Sequence, residues 1–212
     1  ILNDAKKWKE SEKWYRERGI LWSRGSLLYS VPGAGKSSAI RAVAQMLDLP
    51  VYVYDLASLS NLELINAWKE MLSSMPCIAV FEDVDAVFEG RKNIIGESGG
   101  GLSFDCLLNV IGGTLPSEGV YTFVTTNHVE KLDPALGTPN EDGVSSRHGR
   151  LDNMVKMDYL SKDCRIKIAT KILEGTGIST DKFVNIEGDV TAAHFVELCS
   201  RAAIDAYWKN KT

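Results

Sequence analysis

Several things are scarce in this sequence. No apolar run in its 212 residues approaches the ~18 that a membrane span requires. Its four cysteines, Cys77, Cys106, Cys164 and Cys199, are widely spaced and form no Cys-x-x-Cys pair. That spacing argues against a zinc site and a disulfide framework and for a reducing intracellular compartment. Cys77 opens an apolar run and Cys199 falls within a helical pattern, so both are expected in the core. There is no basic excess: 24 Lys and Arg stand against 28 Asp and Glu, net charge -4. An acidic balance gives no electrostatic case for nucleic acid or an anionic membrane. The basic residues from Lys6 to Arg24 are interrupted by Glu10, Glu12 and Glu17, as on a solvated helix face. The sequence starts at Ile1 rather than Met. A targeting or membrane segment ahead of it would not be visible here.

What is present is enough apolar material, 44% of residues, for one good core. Short β-rich runs alternate with helical patterns. "SLLYS", "VYVYDL", "CIAVFED", "VYTFVTTN" and "MVKMDYL" read as strands. "SSAIRAVAQML", "NLELINAWKEML" and "FDCLLNVIGG" read as helices between them. Such alternation predicts an α/β fold with a parallel five-stranded sheet covered on both faces. After about Leu160 strands give way to two amphipathic helices with Ser161 and Thr191 as N-caps, a small C-terminal helical lid. The expected division is 1–23 linker and helix, 24–159 core, 160–212 lid. Two glycine-containing loops, 90–101 and 137–146, are expected to be mobile.

Four motifs carry chemistry. Pro32, Gly33, Ala34, Gly35, Lys36, Ser37 and Ser38 form a glycine-containing loop between a strand and a helix, the context of a phosphate cradle. Backbone amides would receive phosphate oxygens, Lys36 would neutralise β/γ charge, and the Ser37 hydroxyl would hold Mg²⁺. The loop lacks one thing: the pattern begins with glycine, and that place holds Ser30. Serine fits there if its backbone is in an ordinary region. Next, "CIAVFEDVD" ends a strand in acids. Glu82 is expected in the Mg²⁺ shell, through water, and Asp83 as the base that activates water; Asp85 would structure the turn. The order is Glu-Asp where Asp-Glu is usual, and Asp83 is a methylene short of the usual base. Third, Asn127 ends the fourth strand, where its amide could position the attacking water. Fourth, Arg147 and Arg150 in "RHGRLD" could stabilise transferring phosphoryl charge from a neighbouring subunit. Two arginines in surface salt bridges would look the same.

In this order the motifs resemble an AAA-type P-loop ATPase. "KWYRERGILWSRGSLLYSVPGAGKSSAIRAVA", "FEDVDAVF" and "TTNHVEKLDPAL" are similar to its Bcs branch, the mitochondrial inner-membrane chaperones of the Rieske protein and their cellular or viral relatives. The resemblance implies ATP and Mg²⁺ as ligands, a hexameric or heptameric homo-oligomer and a protein substrate. It implies no nucleic acid and no membrane contact from this chain itself, with an anchor possible upstream. The compartment would be the cytoplasm, or the mitochondrial inner membrane facing the matrix if the likeness extends upstream. The aromatic-Gly threading loop common in the family is missing from "DLASLSNLELI". Residues 137–146 are an insertion before the arginines. Thr191-Ala192 stands near where many lids have Gly-Ala against the nucleotide, and Gly19-Ile20 is a candidate adenine contact. The expected function is an ATP-hydrolysing module of a ring-forming chaperone. The alternative is an assembly module that binds ATP with little hydrolysis. A DNA-loading AAA protein is disfavoured by the acidic balance.

Overall fold

The computed structural model describes residues 1–95, 101–112, 115–146 and 150–209. In chain order the elements are α1 (Leu2–Glu10), α2 (Glu12–Glu17), β1 (Ser23–Tyr29), α3 (Lys36–Leu47), β2 (Val51–Tyr54), α4 (Asn61–Met71) and β3 (Cys77–Phe81). There follow α5 (Val84–Val87), β4 (Phe88–Glu89), β5 (Lys92–Asn93), α6 (Phe104–Gly112), β6 (Val120–Thr126), β7 (Asn153–Lys156), α7 (Lys162–Leu173), α8 (Asp181–Val184) and α9 (Ala192–Lys209). The chain divides into two compact units, Ile1–Ser30 with Lys36–Lys156, and Val31–Gly35 with Met157–Thr212.

The first unit is built on the expected sheet. Five strands lie in the order β2-β3-β6-β1-β7, and every pairing is parallel. Every residue of β3 and β6 is buried, as central strands covered on both faces must be. The α4 helix begins with a capping box, Ser60 with Glu63, and buries Leu64, Trp68 and Met71 at helical spacing. Trp68 packs against Phe81, 6.2 Å between centroids, and Tyr54, 6.1 Å. Its indole N–H donates to the Pro116 carbonyl at 2.8 Å. Cys77 lies in this core, and burial pushes its thiol up to about 11.

The two loops expected to be mobile contain regular pairing. β4 and β5 make an antiparallel pair inside 88–93; residues 96–100 lie outside the described ones. In 137–146 the Asn140 N–H donates to the Val144 carbonyl at 2.8 Å, and the Asn140 side chain accepts from the amides of Asp142 and Val144. A short polar side chain that satisfies two backbone donors is how a turn orders itself. Glycine content and low apolarity did not reveal that pairing.

The amino-terminal helix is more than a solvated face. Ala5 and Trp8 of α1 are buried. Trp8 stacks on Trp22 with centroids 5.3 Å apart and meets the edge of Tyr121 at the same distance. Beside them Asp4 accepts from Arg24 Nε and Nη2 at 3.3 and 3.1 Å and from the Tyr121 hydroxyl at 2.7 Å. Burial by itself raises the Asp4 pKa. The Arg24 and Tyr121 hydrogen bonds, with the positive charges of Arg24 and the chain's amino group, outweigh it and hold the carboxyl below its ordinary 3.8. A depressed carboxylate contributes stability above its unfolded pKa and loses it as pH falls through the folded one. Asp4→Asn is therefore expected to cost about 1–2 kcal/mol near neutrality. In urea unfolding the gap between parent and variant should close as pH drops below about 3.8.

The second unit is helical. Ala169 and Leu173 of α7, Phe183 and Val184 of α8, Val190, and Phe195 and Cys199 of α9 form its core. Ser161 caps α7 by accepting from the Cys164 amide. Arg165 fastens the connection, donating to the carbonyls of Leu160, Ile186 and Gly188.

Candidate functional site

In the first unit, strand register sets which residues leave the sheet together. Tyr29 of β1 lies opposite Thr126 of β6, and Phe81 of β3 opposite Val124 of β6. The residues that follow, Ser30, Asn127 and Glu82, thus emerge at the carboxyl edge of three adjacent strands. This is the edge at which open α/β sheets bind ligands.

Lys36, the first residue of α3, lies there and is only 8% exposed. Its ammonium donates to Asn127 Oδ1 at 2.6 Å and to Ser30 Oγ at 3.1 Å. Asn127 Nδ2 donates in turn to Asp83 Oδ1 at 3.1 Å. The amide can face only one way, since its oxygen must meet the cation and its NH₂ the carboxylate. Burial draws the Lys36 pKa below its ordinary value, against the opposing charges of Asp83 and Asp85. Next to it, the Ser37 hydroxyl donates to Glu82 Oε1.

Asp83 has left-handed backbone torsions, φ 49° and ψ 52°. Aspartate is one of the few non-glycine residues that visit this region readily. Its amide donates to Thr125 Oγ1 at 2.9 Å. Asp85 accepts from Thr126 Oγ1 at 2.7 Å and from the Asn127 amide at 3.0 Å. It thereby fixes the backbone that carries Asn127.

Residues 31–35 belong to the second unit, where the Ala193 amide donates to the Gly33 carbonyl at 2.9 Å. Gly33 and Gly35 have φ of 80° and 100°, torsions that open only to glycine without strain. A Cβ on Gly33 would meet Thr191 Oγ1 at 3.3 Å, and one on Gly35 would meet Ala192 Cβ at 3.5 Å. Ser30 needs no such freedom. Among the described residues only Asp48 and Asp83 are non-glycines with positive φ.

Of the two candidate arginines, Arg147 lies outside the described residues. Arg150 donates through Nη1 to the Ala135 carbonyl at 2.6 Å, in the short helical turn that Asp133-Pro134 starts. A guanidinium carries five N–H donors, so this anchor orients the group and leaves its charge in place. The sequence reading did not pick out Thr125 and Thr126 as supports of Asp83 and Asp85. Their signal was two hydroxyls at the end of a wholly buried strand, where each needs a partner.

A parallel α/β sheet with Gly-Lys-Ser between a strand and a helix, and acids at the end of the strand two places away, defines a P-loop nucleotide-binding protein. Residues 26–141 match the family described as ATPase family associated with various cellular activities (AAA). Among similar proteins, the "Mitochondrial chaperone BCS1" of Homo sapiens is 40% identical over 170 residues, 76% of this chain and 38% of that protein. Its Danio rerio counterpart is 43% identical over 148 residues, 66% of this chain and 34% of that protein. The "Probable mitochondrial chaperone bcs1" of Schizosaccharomyces pombe is 38% identical over 153 residues, 70% and 33% of the two chains. The chain belongs to the AAA family and, within it, to the Bcs1 branch. It spans about a third of the length of these relatives.

Proposed function

We propose that this chain is the ATP-binding and ATP-hydrolysing module of a ring-forming chaperone or protein-remodelling machine. The observation that carries the reading is the link Lys36–Asn127–Asp83. One amide joins the cation that would meet the phosphates to the carboxylate that would accept a proton from water. Pro32, Gly33, Ala34, Gly35 and Ser38 would complete the cradle with Lys36 and Ser37. A serine hydroxyl and a carboxylate are the hard oxygen donors that Mg²⁺ accepts, so Ser37 and Glu82 fit that ion, Glu82 through water. Bound there, it would spread the charge of the β- and γ-phosphates. Asp83 would take the proton, Asn127 would hold the water in line, and Arg147 and Arg150 would serve the adjoining subunit. The assembly is a homo-oligomeric ring, hexameric or heptameric, acting on a protein substrate. The names of the relatives suggest a mitochondrial setting; a divergent microbial or viral homologue fits equally.

The test is Mg²⁺-ATP turnover against protein concentration. Specific activity should rise with concentration as subunits assemble, and full activity in a monomer would remove the two arginines from the mechanism. Asp83→Asn should lower kcat by about 10²–10⁴-fold, the range for a general base, while ATP still binds. The second reading, a module that binds ATP to assemble without turning it over, is favoured by the ordered 137–146 turn just before the arginines. Background turnover in the parent, with assembly still ATP-dependent, would select it.

A further inference from the structure

The phosphate-loop pattern places glycine where this chain has Ser30, and two observations say that the serine does more than fill a gap. Its backbone carries no positive φ, so no torsion calls for glycine there. Its side chain is 9% exposed and accepts a hydrogen bond from the Lys36 ammonium at 3.1 Å. Lys36 is equally buried, and its other hydrogen-bond acceptor is the Asn127 amide oxygen. Both acceptors are neutral. They fix the ammonium from two adjacent strand ends and leave its positive charge to act on whatever comes next. A lysine ammonium has three donors, so two are used in seating it and one remains for an oxygen of the ligand.

We propose that Ser30 is a positioning residue for the phosphate-binding lysine: its hydroxyl, paired with the Asn127 amide, seats the Lys36 ammonium for the β- and γ-phosphates of a nucleoside triphosphate. The proposal rests on the nucleotide reading above and adds a residue to it. A glycine at this place has no side-chain acceptor. The long, flexible lysine stem must then be ordered at the moment of binding, with a matching loss of affinity.

The consequence runs against the motif. Ser30→Gly, which restores the pattern, should weaken ATP and ADP binding about tenfold, as loss of one hydrogen bond to a charged group does. Ser30→Ala should do the same. Ser30→Thr keeps the hydroxyl and should bind within about twofold of the parent. AMP, which has no β- or γ-phosphate for Lys36 to meet, should bind the parent and all three variants alike. A general loosening of the loop would weaken AMP as well. Titration calorimetry with each nucleotide and Mg²⁺ reads these outcomes.

A second measurement needs no nucleotide. In urea unfolding, Ser30→Ala and Lys36→Met should be non-additive, the double variant departing from the product of the single effects by roughly threefold in the unfolding constant. Undiminished ATP affinity in Ser30→Gly and Ser30→Ala overturns the proposal and leaves the nucleotide reading standing. So does equal loss of ATP and AMP. A parent that binds no ATP overturns both. Additive unfolding effects would show that the hydroxyl and the ammonium do not interact, which also overturns it.

Discussion

Lys36→Ala is expected to remove most nucleotide binding, with affinity for Mg²⁺-ATP down by about 30- to 4,000-fold. The ammonium is held inside the site by Ser30 and Asn127 and is nearly out of contact with water. In such a place a charge is poorly screened, so its attraction for a phosphate far exceeds that of a surface lysine. Truncating one partner of a buried, hydrogen-bonded charge pair costs about 2–5 kcal/mol, and each ~1.4 kcal/mol is tenfold in affinity. The free protein should not suffer in proportion. Burial already disfavours the charged lysine, as its lowered pKa records, and alanine removes that charge together with its desolvation. Thermal unfolding with and without Mg²⁺-ATP separates the two effects. The parent midpoint should rise with nucleotide, as it must for any ligand that binds only the folded state. The variant should melt near the unliganded parent and show little rise. An unaltered rise in Lys36→Ala would remove the triphosphate from this loop.

Trp68→Ala is expected to be the most destabilising single change in the core, at about 3–5 kcal/mol. The indole is fully buried against Tyr54 and Phe81, which also stack on each other. Its removal leaves a cavity against β2 and β3 and deprives the Pro116 carbonyl of its donor. Domains of this kind have about 5–15 kcal/mol of net stability, so the loss should show as poor soluble yield or a large fall in the urea midpoint. Trp68→Phe keeps the ring and loses the N–H. Its cost should be nearer 0.5–1.5 kcal/mol, roughly the net worth of one hydrogen bond, because Pro116 is exposed and water can meet its carbonyl. Phe81 immediately precedes Glu82, so loosening this stack should also reduce ATP turnover before the protein unfolds. A Trp68→Ala variant as stable as the parent would contradict the packing described here.

Local pattern made much of this protein legible. The β-branched and aromatic runs gave the five strands, and apolar spacing gave α3, α4, α6, α7 and α9, because each element must present an apolar face wherever it ends up; the four-residue α5 and α8 are too short to show such a spacing. Gly35, Lys36 and Ser37 gave the loop because positive φ, a cation and a hydroxyl must occur in fixed sequence there. The turn in 137–146 was not legible, because Asn140 orders it through bonds to backbone amides that composition does not display. Nor was the packing of Trp8 on Trp22 and Tyr121, since α1 looked like a charged surface helix until Trp22 and β6 supplied its partners; α2, with no buried residue, is such a surface helix.

The sequence by itself determined the elements, the loop and the acids that end β3, all of which depend on neighbours a few residues apart. Only the tertiary structure decided that Asn127 would bridge Lys36 to Asp83, and that the Ser30 hydroxyl would complete the seat of that lysine. Those contacts join residues as much as 91 positions apart. They exist because parallel pairing sets β6 between β1 and β3 in a register that brings three strand ends to one edge.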